Sequence, residues 1–259
     1  MRYRRLDDFN AIEEFKERVK GAALSLFLDY DGTLTPIVGR PENAFMSYSM
    51  KEALKRLQKR YPLAIISGRG LDDLMARVAI KGIVYAGNHG FEIESGAFSY
   101  CMEEAQEFRE HLPAIAATLN GCLKNFKGVI VENKGLTLSV HYRLVDSREV
   151  PSVIEAVHGA LASFKEEGSV RMTDGKKVIE VRPPVKWDKG KAVTWILARE
   201  GFGDTLPIYI GDDETDRDAF RALNGRGISI VVGHRWKDAD YFLRDQSEVK
   251  GLLKWLSSC

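Results

Sequence analysis

The strongest constraint on the fold is a regular alternation of short apolar runs with amphipathic segments. After a predicted helix over residues 9–20, apolar runs at 24–28, 63–66 and 83–86 are separated by segments of helical periodicity at 49–60 and 71–78. Short apolar runs of this kind are typical of strands buried on both faces, and helices between strands are typical of parallel sheets. The order therefore predicts an α/β fold built on a parallel sheet.

A central segment interrupts this alternation. From about residue 97, the sequence pattern predicts a long helix over 103–123 and then strands over 129–132 and 136–142. A second helix is predicted over 147–167. Two further strands, over 169–173 and 177–181, are predicted to join at an Asp174-Gly175 turn. Two helices and four strands in this order indicate a two-layered antiparallel α+β unit.

The first pattern resumes after Pro183-Pro184. We predict helices over 188–200, 215–223 and 247–256, strands over 206–210 and 228–232, and a short apolar segment over 241–243. The central unit is therefore expected to be an insertion. We predict a core of residues 1–95 and 183–259 and an inserted domain of residues 96–182.

The composition limits the partners that this chain is expected to have. Its 38 Lys and Arg residues nearly balance 37 Asp and Glu residues, so there is no electrostatic reason to expect a nucleic acid or an anionic membrane as partner. No stretch approaches the roughly 18 apolar residues of a spanning helix, and acids follow the basic N-terminus where a signal peptide would be apolar. We expect a soluble, cytoplasmic monomer that acts on a small molecule, with its three scattered cysteines reduced and structural.

Polar and glycine-rich segments follow four of the apolar runs. They are Asp29-Tyr30-Asp31-Gly32-Thr33, Ser67-Gly68-Arg69, Gly87-Asn88-His89-Gly90 and Gly211-Asp212-Asp213-Glu214-Thr215-Asp216. In an open parallel sheet the ligand site lies beyond the carboxyl ends of the strands. These segments are therefore the candidates for the functional site.

Asp29 and Asp31 have two less specific explanations. Asp and Gly commonly end strands, so turn formation explains an isolated D-x-D-G equally well. A calcium loop is excluded, because Gly is fourth from Asp29 and the twelfth residue is Arg40, where such a loop needs Gly at position six and Glu at position twelve.

The second acidic segment favours a metal site over simple turn formation at Asp29 and Asp31. If the sheet is wound as predicted, Asp212, Asp213 and Asp216 meet Asp29 and Asp31 at one edge. Carboxylates that close together need a compensating cation, and Mg²⁺ suits an all-oxygen site with room for water and phosphate.

Two further residues fit the same site. Lys189 begins a predicted helix, where a cation is mildly unfavourable unless an anion lies beside it, although a solvated surface lysine is an open alternative. Ser67 is the weakest signal, since Ser-Gly after a strand is common in loops. A nucleophilic carboxylate, a second carboxylate, a hydroxyl, a lysine and a divalent cation are together suited to phosphoryl transfer through an aspartyl phosphate.

The order DYDGT, SGR, KG and GDDxTD resembles the haloacid dehalogenase superfamily of phosphohydrolases. Further segments, "LDYDGTLTPI", "ISGR", "GNHGFEI", "VENKGLTLSVHYR", "VIEVRP…KGKAV" and "YIGDDETDRDAF", resemble the trehalose-6-phosphate phosphatases over about residues 26–220. The resemblance implies a Rossmann-like parallel-sheet core with an inserted, mobile α+β cap domain of the C2 type. Arg217 stands where that family usually has an acid.

The resemblance implies a role for each core residue. Asp29 would attack phosphorus, and Asp31 would protonate the departing sugar oxygen and then activate water. Mg²⁺ would be held by the Asp29 carboxylate, the Asp31 backbone carbonyl and Asp212, with Asp213 or Asp216 orienting its waters. Ser67 and Lys189 would bind the phosphoryl oxygens.

The resemblance also implies a sugar-binding set in the cap. Its members are Glu132, Lys134, His141, Arg143 and Glu180, with Asn88 and His89 near the junction of core and cap. Taken singly, each could equally be a solvated residue of an alternating strand, and the histidines could be structural.

The function that this implies is Mg²⁺-dependent hydrolysis of trehalose 6-phosphate to trehalose and phosphate. The alternative is the same chemistry on sucrose 6-phosphate, glucosylglycerol phosphate or mannosyl-3-phosphoglycerate. A non-catalytic sugar-phosphate sensor is expected to lose Asp29 or Asp31, and both are present. The core motifs alone do not exclude a phosphomutase.

Overall fold

The structure is a computed structural model that describes residues 5–6 and 9–258. The chain divides into two compact units, one made of the segments up to Ser99 and from Trp187 onwards, the other of Tyr100–Lys186. The sequence places these boundaries a few residues earlier, at 95/96 and 182/183.

The elements below are numbered in chain order. The helices are α1 (Phe9–Val19), α2 (Tyr48–Leu57), α3 (Leu71–Val78), α4 (Glu103–Phe108), α5 (Leu112–Leu123), α6 (Val150–Ala160), α7 (Ala162–Glu166), α8 (Lys189–Leu197), α9 (Asp216–Leu223) and α10 (Gln246–Leu256). The strands are β1 (Leu24–Leu28), β2 (Leu63–Ile66), β3 (Val84–Gly87), β4 (Glu92–Glu94), β5 (Ser99–Cys101), β6 (Ile130–Asn133), β7 (Leu138–His141), β8 (Arg171–Gly175), β9 (Val178–Arg182), β10 (Leu206–Gly211), β11 (Ile228–Val232) and β12 (Tyr241–Leu243).

The first unit is built on a sheet with the strand order β12-β11-β10-β1-β2-β3-β4-β5. The six strands from β12 to β3 are mutually parallel, which confirms the predicted parallel sheet. β4 pairs antiparallel with β3 and was not predicted, because a three-residue strand is too short to show an alternation.

The central strand of this sheet carries the first acidic segment. β1 lies between β10 and β2, and all of its residues are buried. Leu26 and Leu28 belong to an apolar cluster that also includes residues of α1, α2 and α10. Burying a leucine side chain contributes roughly 1.5–3 kcal/mol, so this packing fixes the position of the segment that follows β1.

The second unit is a four-stranded antiparallel sheet with the order β6-β7-β9-β8. Residues from α5 and α6 pack on one face of it, where Leu138, Val140, Ile179 and Val181 form an apolar cluster with them. The antiparallel α+β arrangement that the sequence predicts for this segment is confirmed.

The sequence predicts two long continuous helices in the second unit, and both predictions are wrong because each segment forms two shorter helices. The predicted helix over 103–123 is two helices joined by a 3₁₀ turn at Arg109–His111, and Pro113 lies in the first turn of α5. The predicted helix over 147–167 begins later, at Val150 with Pro151 in its first turn, and is interrupted at Leu161. Proline has no N–H to continue a preceding helix, so it favours a new start.

Two other boundaries also differ from the prediction. The turn expected at Asp174-Gly175 lies at residues 176–177 instead, because β8 stays paired through Gly175, which is opposite Val178. The helix predicted over 188–200 ends at Leu197. The remaining predicted elements agree with the structure within a few residues.

Within residues 5–6 and 9–258, no helix has both the length and the apolar character that crossing a membrane requires. Cys101 and Cys122 are free thiols, and both are exposed, which does not fit a structural role in the core. Their reduced state stays a prediction. Cys259 lies outside the described residues.

Candidate active site

The segment after β1 lies against the segment after β10. The Asp29 N–H donates to the Ile210 carbonyl at 2.9 Å. Gly32 has a φ of 85°, and a Cβ built there would lie 2.0 Å from Asp212 Oδ2. Only glycine allows both this backbone conformation and this close approach. The sequence prediction that the two acidic segments meet at one edge is therefore confirmed for Asp29 and Asp212.

Lys189 joins this site from the first turn of α8. Asp188 is the N-cap residue before this helix, and its carboxylate accepts the Lys191 N–H at 2.9 Å. The Lys189 ammonium donates to Asp29 Oδ1 and to Asp216 Oδ1, both at 2.7 Å. These two carboxylates are the anions that the sequence analysis expects beside Lys189, because a cation at a helix N-terminus is otherwise unfavourable.

Asp216 is held by four donors. Its Oδ2 accepts the N–H groups of Asp212 and Asp213, both at 2.8 Å. Its Oδ1 accepts the Lys189 ammonium and the Tyr209 hydroxyl, both at 2.7 Å. Each oxygen of a carboxylate offers about two acceptor positions, so these bonds use the acceptor capacity of Asp216.

The acidic cluster places three carboxyl groups beside one ammonium. Asp29, Asp212 and Asp216 are buried, and each has an oxygen within 4.8 Å of the others. Burial raises the pKa of Asp29 well above its usual range; Lys189 lowers it, while Asp216 and Asp212 raise it further. Burial lowers the pKa of Lys189, but the charges of Asp216 and Asp29 raise it well above the usual value. Three carboxylates around one ammonium are a donor set that fits a hard divalent cation.

Asp31 is held by an arginine that the sequence analysis did not assign. Arg69 donates from Nε to Asp31 Oδ2 at 2.7 Å and from Nη2 to Asp31 Oδ1 at 2.8 Å. The same guanidinium donates to Asp73 at 2.8 Å and to the Pro41 carbonyl at 2.9 Å. This two-bond pairing fixes the Asp31 carboxylate in direction as well as in position.

Ser67 is buried at the end of β2. Its Oγ accepts the Arg69 N–H at 3.2 Å, and its carbonyl accepts the His89 N–H at 2.9 Å. Ser67 therefore lies where the segments after β2 and β3 are joined.

Asn88 and His89 are both buried, and both have positive φ, at 49° and 58°. The Asn88 side chain donates to Glu92 Oε1 at 2.7 Å. Left-handed backbone is unusual outside glycine, but Asn and His adopt it more readily than most residues. The left-handed backbone is a structural reason for Asn and His at these two positions. Their contact with substrate stays a prediction.

The predicted sugar-binding residues of the second unit form two pairs on its sheet. Glu132, Ser139 and Glu180 are aligned across β6, β7 and β9 and share one face. Glu132 Oε2 lies 2.7 Å from His141 Nε2, and the Lys134 ammonium donates to Glu180 Oε1 at 3.1 Å. Arg143, the fifth predicted residue, donates instead to the Lys176 carbonyl.

Comparison with known proteins assigns the chain to a family. A family model described as trehalose-phosphatase matches residues 27–247. Probable trehalose-phosphate phosphatase D of Arabidopsis thaliana is 40% identical over 260 residues, which cover 94% of this chain and 70% of the relative. The chain belongs to the trehalose-phosphatase family.

Solved structures agree with this family membership. The C-terminal domain of C. albicans trehalose-6-phosphate phosphatase matches with a TM-score of 0.83 at 25% identity, over 95% of this chain and 96% of that one. A haloacid dehalogenase-like hydrolase from Bacteroides thetaiotaomicron shares the fold, with a TM-score of 0.62 at 17% identity over 92% of this chain and 99% of that one. The predicted haloacid dehalogenase fold is confirmed.

Arg217, which stands where the trehalose-phosphatase family usually has an acid, forms ion pairs with two acidic residues. The Arg217 guanidinium donates to Asp238 at 2.8 Å and to Glu214 at 3.0 Å. It thereby joins the segment after β10 to the segment after β11, and the added positive charge is paired.

Two residues of the candidate site, Arg69 and Tyr209, were given no role from the sequence. Arg69 stood in the quoted SGR motif, and the preference of arginine for two-bond pairing with a carboxylate was the available signal. Tyr209 stood inside an apolar run, where nothing distinguished its hydroxyl from the rest of a buried strand.

Proposed function

We propose that this protein hydrolyses trehalose 6-phosphate to trehalose and phosphate, through an aspartyl phosphate on Asp29. The observation that carries the proposal is the Lys189 ammonium, which contacts Asp29 and Asp216 at 2.7 Å beside Asp212 in a buried cluster. Membership of the trehalose-phosphatase family supports the choice of substrate.

Asp29 is the proposed nucleophile. Its free carboxylate oxygen forms a bond to phosphorus while the bond from phosphorus to the sugar oxygen breaks. Lys189 fixes the other oxygen of Asp29 and, with Ser67, binds the phosphoryl oxygens. Water then attacks the phosphorus of the acyl phosphate, which releases phosphate and regenerates Asp29.

Asp31 is the proposed acid and base. In the first step it gives a proton to the departing sugar oxygen, and in the second it takes a proton from the attacking water. Arg69 donates to both of its oxygens and so pairs with the ionised form. Before it protonates the leaving oxygen, Asp31 must therefore give up at least one of these bonds and take up a proton from solvent. The proton that it takes from the attacking water in the second step restores this acid form.

Mg²⁺ is the proposed cation, and it would offset the repulsion between Asp29 and the phosphate dianion. The Asp29 carboxylate, the Asp31 backbone carbonyl and Asp212 would hold it. Between Asp213 and Asp216, we favour Asp213 as the support for its waters, because the Asp216 oxygens already accept four hydrogen bonds.

The second unit is proposed to be the cap that recognises the sugar. Carboxylates and cationic side chains suit the paired hydroxyls of a sugar ring, and Glu132, Lys134, His141 and Glu180 present both types. Arg143 and the buried Asn88 and His89 complete the proposed contacts. The cytoplasmic location and the monomeric state stay predictions.

A panel of sugar phosphates tests the proposed substrate. Phosphate release is measured with Mg²⁺ from trehalose 6-phosphate, sucrose 6-phosphate, glucosylglycerol phosphate and mannosyl-3-phosphoglycerate. We expect trehalose 6-phosphate to have the highest kcat/KM by at least tenfold, which is about 1.4 kcal/mol in the transition state. A smaller preference contradicts the proposed substrate, and the absence of turnover with every ester contradicts the proposed chemistry.

A further inference from the structure

Tyr209 contributes a fully buried hydroxyl to the acidic cluster. The hydroxyl donates to Asp216 Oδ1 at 2.7 Å, the same oxygen that accepts the Lys189 ammonium. We propose that Tyr209 is a positioning residue, which keeps the Lys189 ammonium on Asp29 by supplying Asp216 Oδ1 with a second, neutral donor. This inference rests on the proposed function only in taking Asp29 as the nucleophile.

Packing fixes the position of the Tyr209 hydroxyl. Tyr209 lies in β10 opposite Phe27 of β1, and its side chain is fully buried. Its ring meets the ring of Phe220 edge to face, with centroids 5.8 Å apart at 78°. Phe220 and Asp216 both belong to α9, so the contact that holds the ring also holds the helix that carries the acceptor.

The Lys189 ammonium is shared between two acceptors. It lies 2.7 Å from Asp29 Oδ1 and 2.7 Å from Asp216 Oδ1, so its position depends on how strongly each carboxylate attracts it. The Tyr209 hydroxyl stabilises the charge of Asp216 without contributing a competing charge. If the hydroxyl is removed, Asp216 Oδ1 keeps Lys189 as its donor within the cluster. The ammonium is then drawn towards Asp216, and its bond to Asp29 lengthens.

The chain also contains a buried tyrosine whose hydroxyl has a purely structural environment. The Tyr85 hydroxyl donates to the Ile80 carbonyl at 2.7 Å and accepts the Ile80 N–H at 3.0 Å. Tyr85 lies in β3 of the same sheet, away from the acidic cluster. Loss of its hydroxyl therefore reproduces the stability cost of removing a buried hydroxyl without acting on Lys189.

The test compares Tyr209→Phe with Tyr85→Phe. Thermal unfolding, kcat and KM are measured with Mg²⁺ for trehalose 6-phosphate and for p-nitrophenyl phosphate, which assays the chemistry without sugar recognition. We expect both variants to melt at lower temperature than the unmodified protein. Only Tyr209→Phe should lose kcat, by about tenfold for both esters, with KM changed by less than about twofold. A kcat within twofold of the unmodified protein, or an equal loss in Tyr85→Phe, overturns the inference.

Two further measurements separate this inference from the proposed function. Tyr209→4-aminophenylalanine keeps the ring and a donor, and it should recover most of the lost kcat. A crystal structure of Tyr209→Phe should show the distance from Lys189 Nζ to Asp29 Oδ1 lengthened beyond hydrogen-bond range, with the contact to Asp216 retained. This readout needs no turnover, so an unchanged distance overturns the inference even if the substrate differs from the one proposed.

Discussion

The acidic cluster of the first unit and the Glu132–His141 pair of the second unit differ in their burial. In the first unit, Lys189, Asp29 and Asp216 are 2%, 4% and 0% exposed. In the second unit, the side chains of His141 and Glu132 are 18% and 29% exposed and pair across two neighbouring strands. The first set is buried, whereas the Glu132–His141 pair is partly exposed. The Lys134–Glu180 pair of the second unit is also buried, with side chains 8% and 9% exposed.

This difference suits two different tasks. Charges fixed in a region without bulk water act strongly on a reacting group, because the surroundings screen them weakly and need little reorganisation. A partly exposed pair such as Glu132–His141 gains less from its own contact than a buried one and can exchange it for the hydroxyls of a ligand. We therefore expect the first unit to determine the rate of phosphoryl transfer and the second to determine which sugar is accepted.

Asp29→Asn is the change with the largest expected effect. It keeps the size of the side chain and an acceptor for Lys189 but removes the nucleophile, so turnover of trehalose 6-phosphate and of p-nitrophenyl phosphate should fall at least a hundredfold. Folding should remain intact, because the change removes one of three crowded carboxylates. The measurements are phosphate release and thermal unfolding.

An exposed aspartate of the second unit supplies the control for this change. Asp146 pairs with Arg148 at the surface, so Asp146→Asn should leave turnover of both esters unchanged. Residual activity of Asp29→Asn above about a hundredth of the unmodified protein would argue against the covalent route.

Glu132→Gln should have a smaller effect that depends on the substrate. The amide keeps the shape of the side chain but loses the charge that faces His141, so we expect kcat/KM for trehalose 6-phosphate to fall about tenfold, mainly through KM. Turnover of p-nitrophenyl phosphate, which carries no sugar, should stay within about twofold. Equal losses for both esters would show that the division of tasks between the units is wrong.

The sequence could predict those parts of the fold that produce a local pattern of apolar and polar residues. The buried strands are short apolar runs, and the acidic segments follow them directly, so the meeting of Asp29 and Asp212 followed from the parallel sheet. Pro113 and Pro151 mark the starts of α5 and α6, which helical periodicity alone does not show, and no proline marks the break at Leu161.

The parts that could not be predicted depend on contacts between distant residues. Arg69 meets Asp31 across 38 positions of sequence, and no local pattern relates the two. Tyr209 looks like any apolar strand residue until α9 places Asp216 beside its hydroxyl. On the sheet of the second unit, Ser139 Oγ and Thr173 Oγ1 have no hydrogen-bond partner in the described part of the chain, which an alternating pattern also does not reveal.

The smallest expected effect is on the pH dependence of stability, and it concerns Asp73. Burial raises the pKa of Asp73, but hydrogen bonds from Arg77 and Arg69 outweigh it and hold the pKa below the usual value. The folded state therefore favours the ionised carboxylate. The resulting stabilisation is complete above the unfolded pKa, about 3.9, and is lost as the pH falls through the lower folded pKa.

Urea unfolding of Asp73→Asn and the unmodified protein at several pH values between 3 and 7 tests this sign. The destabilisation caused by the change should be constant from pH 7 to about pH 5 and should shrink below about pH 4, where protonation removes the same charge from the unmodified protein. Asp146, whose pKa Arg148 also lowers, lies at the surface of the second unit, so Asp146→Asn should show the same direction with a smaller amplitude. A loss for Asp73→Asn that is as large at pH 3 as at pH 7 would mean that packing, not charge, makes this residue stabilising.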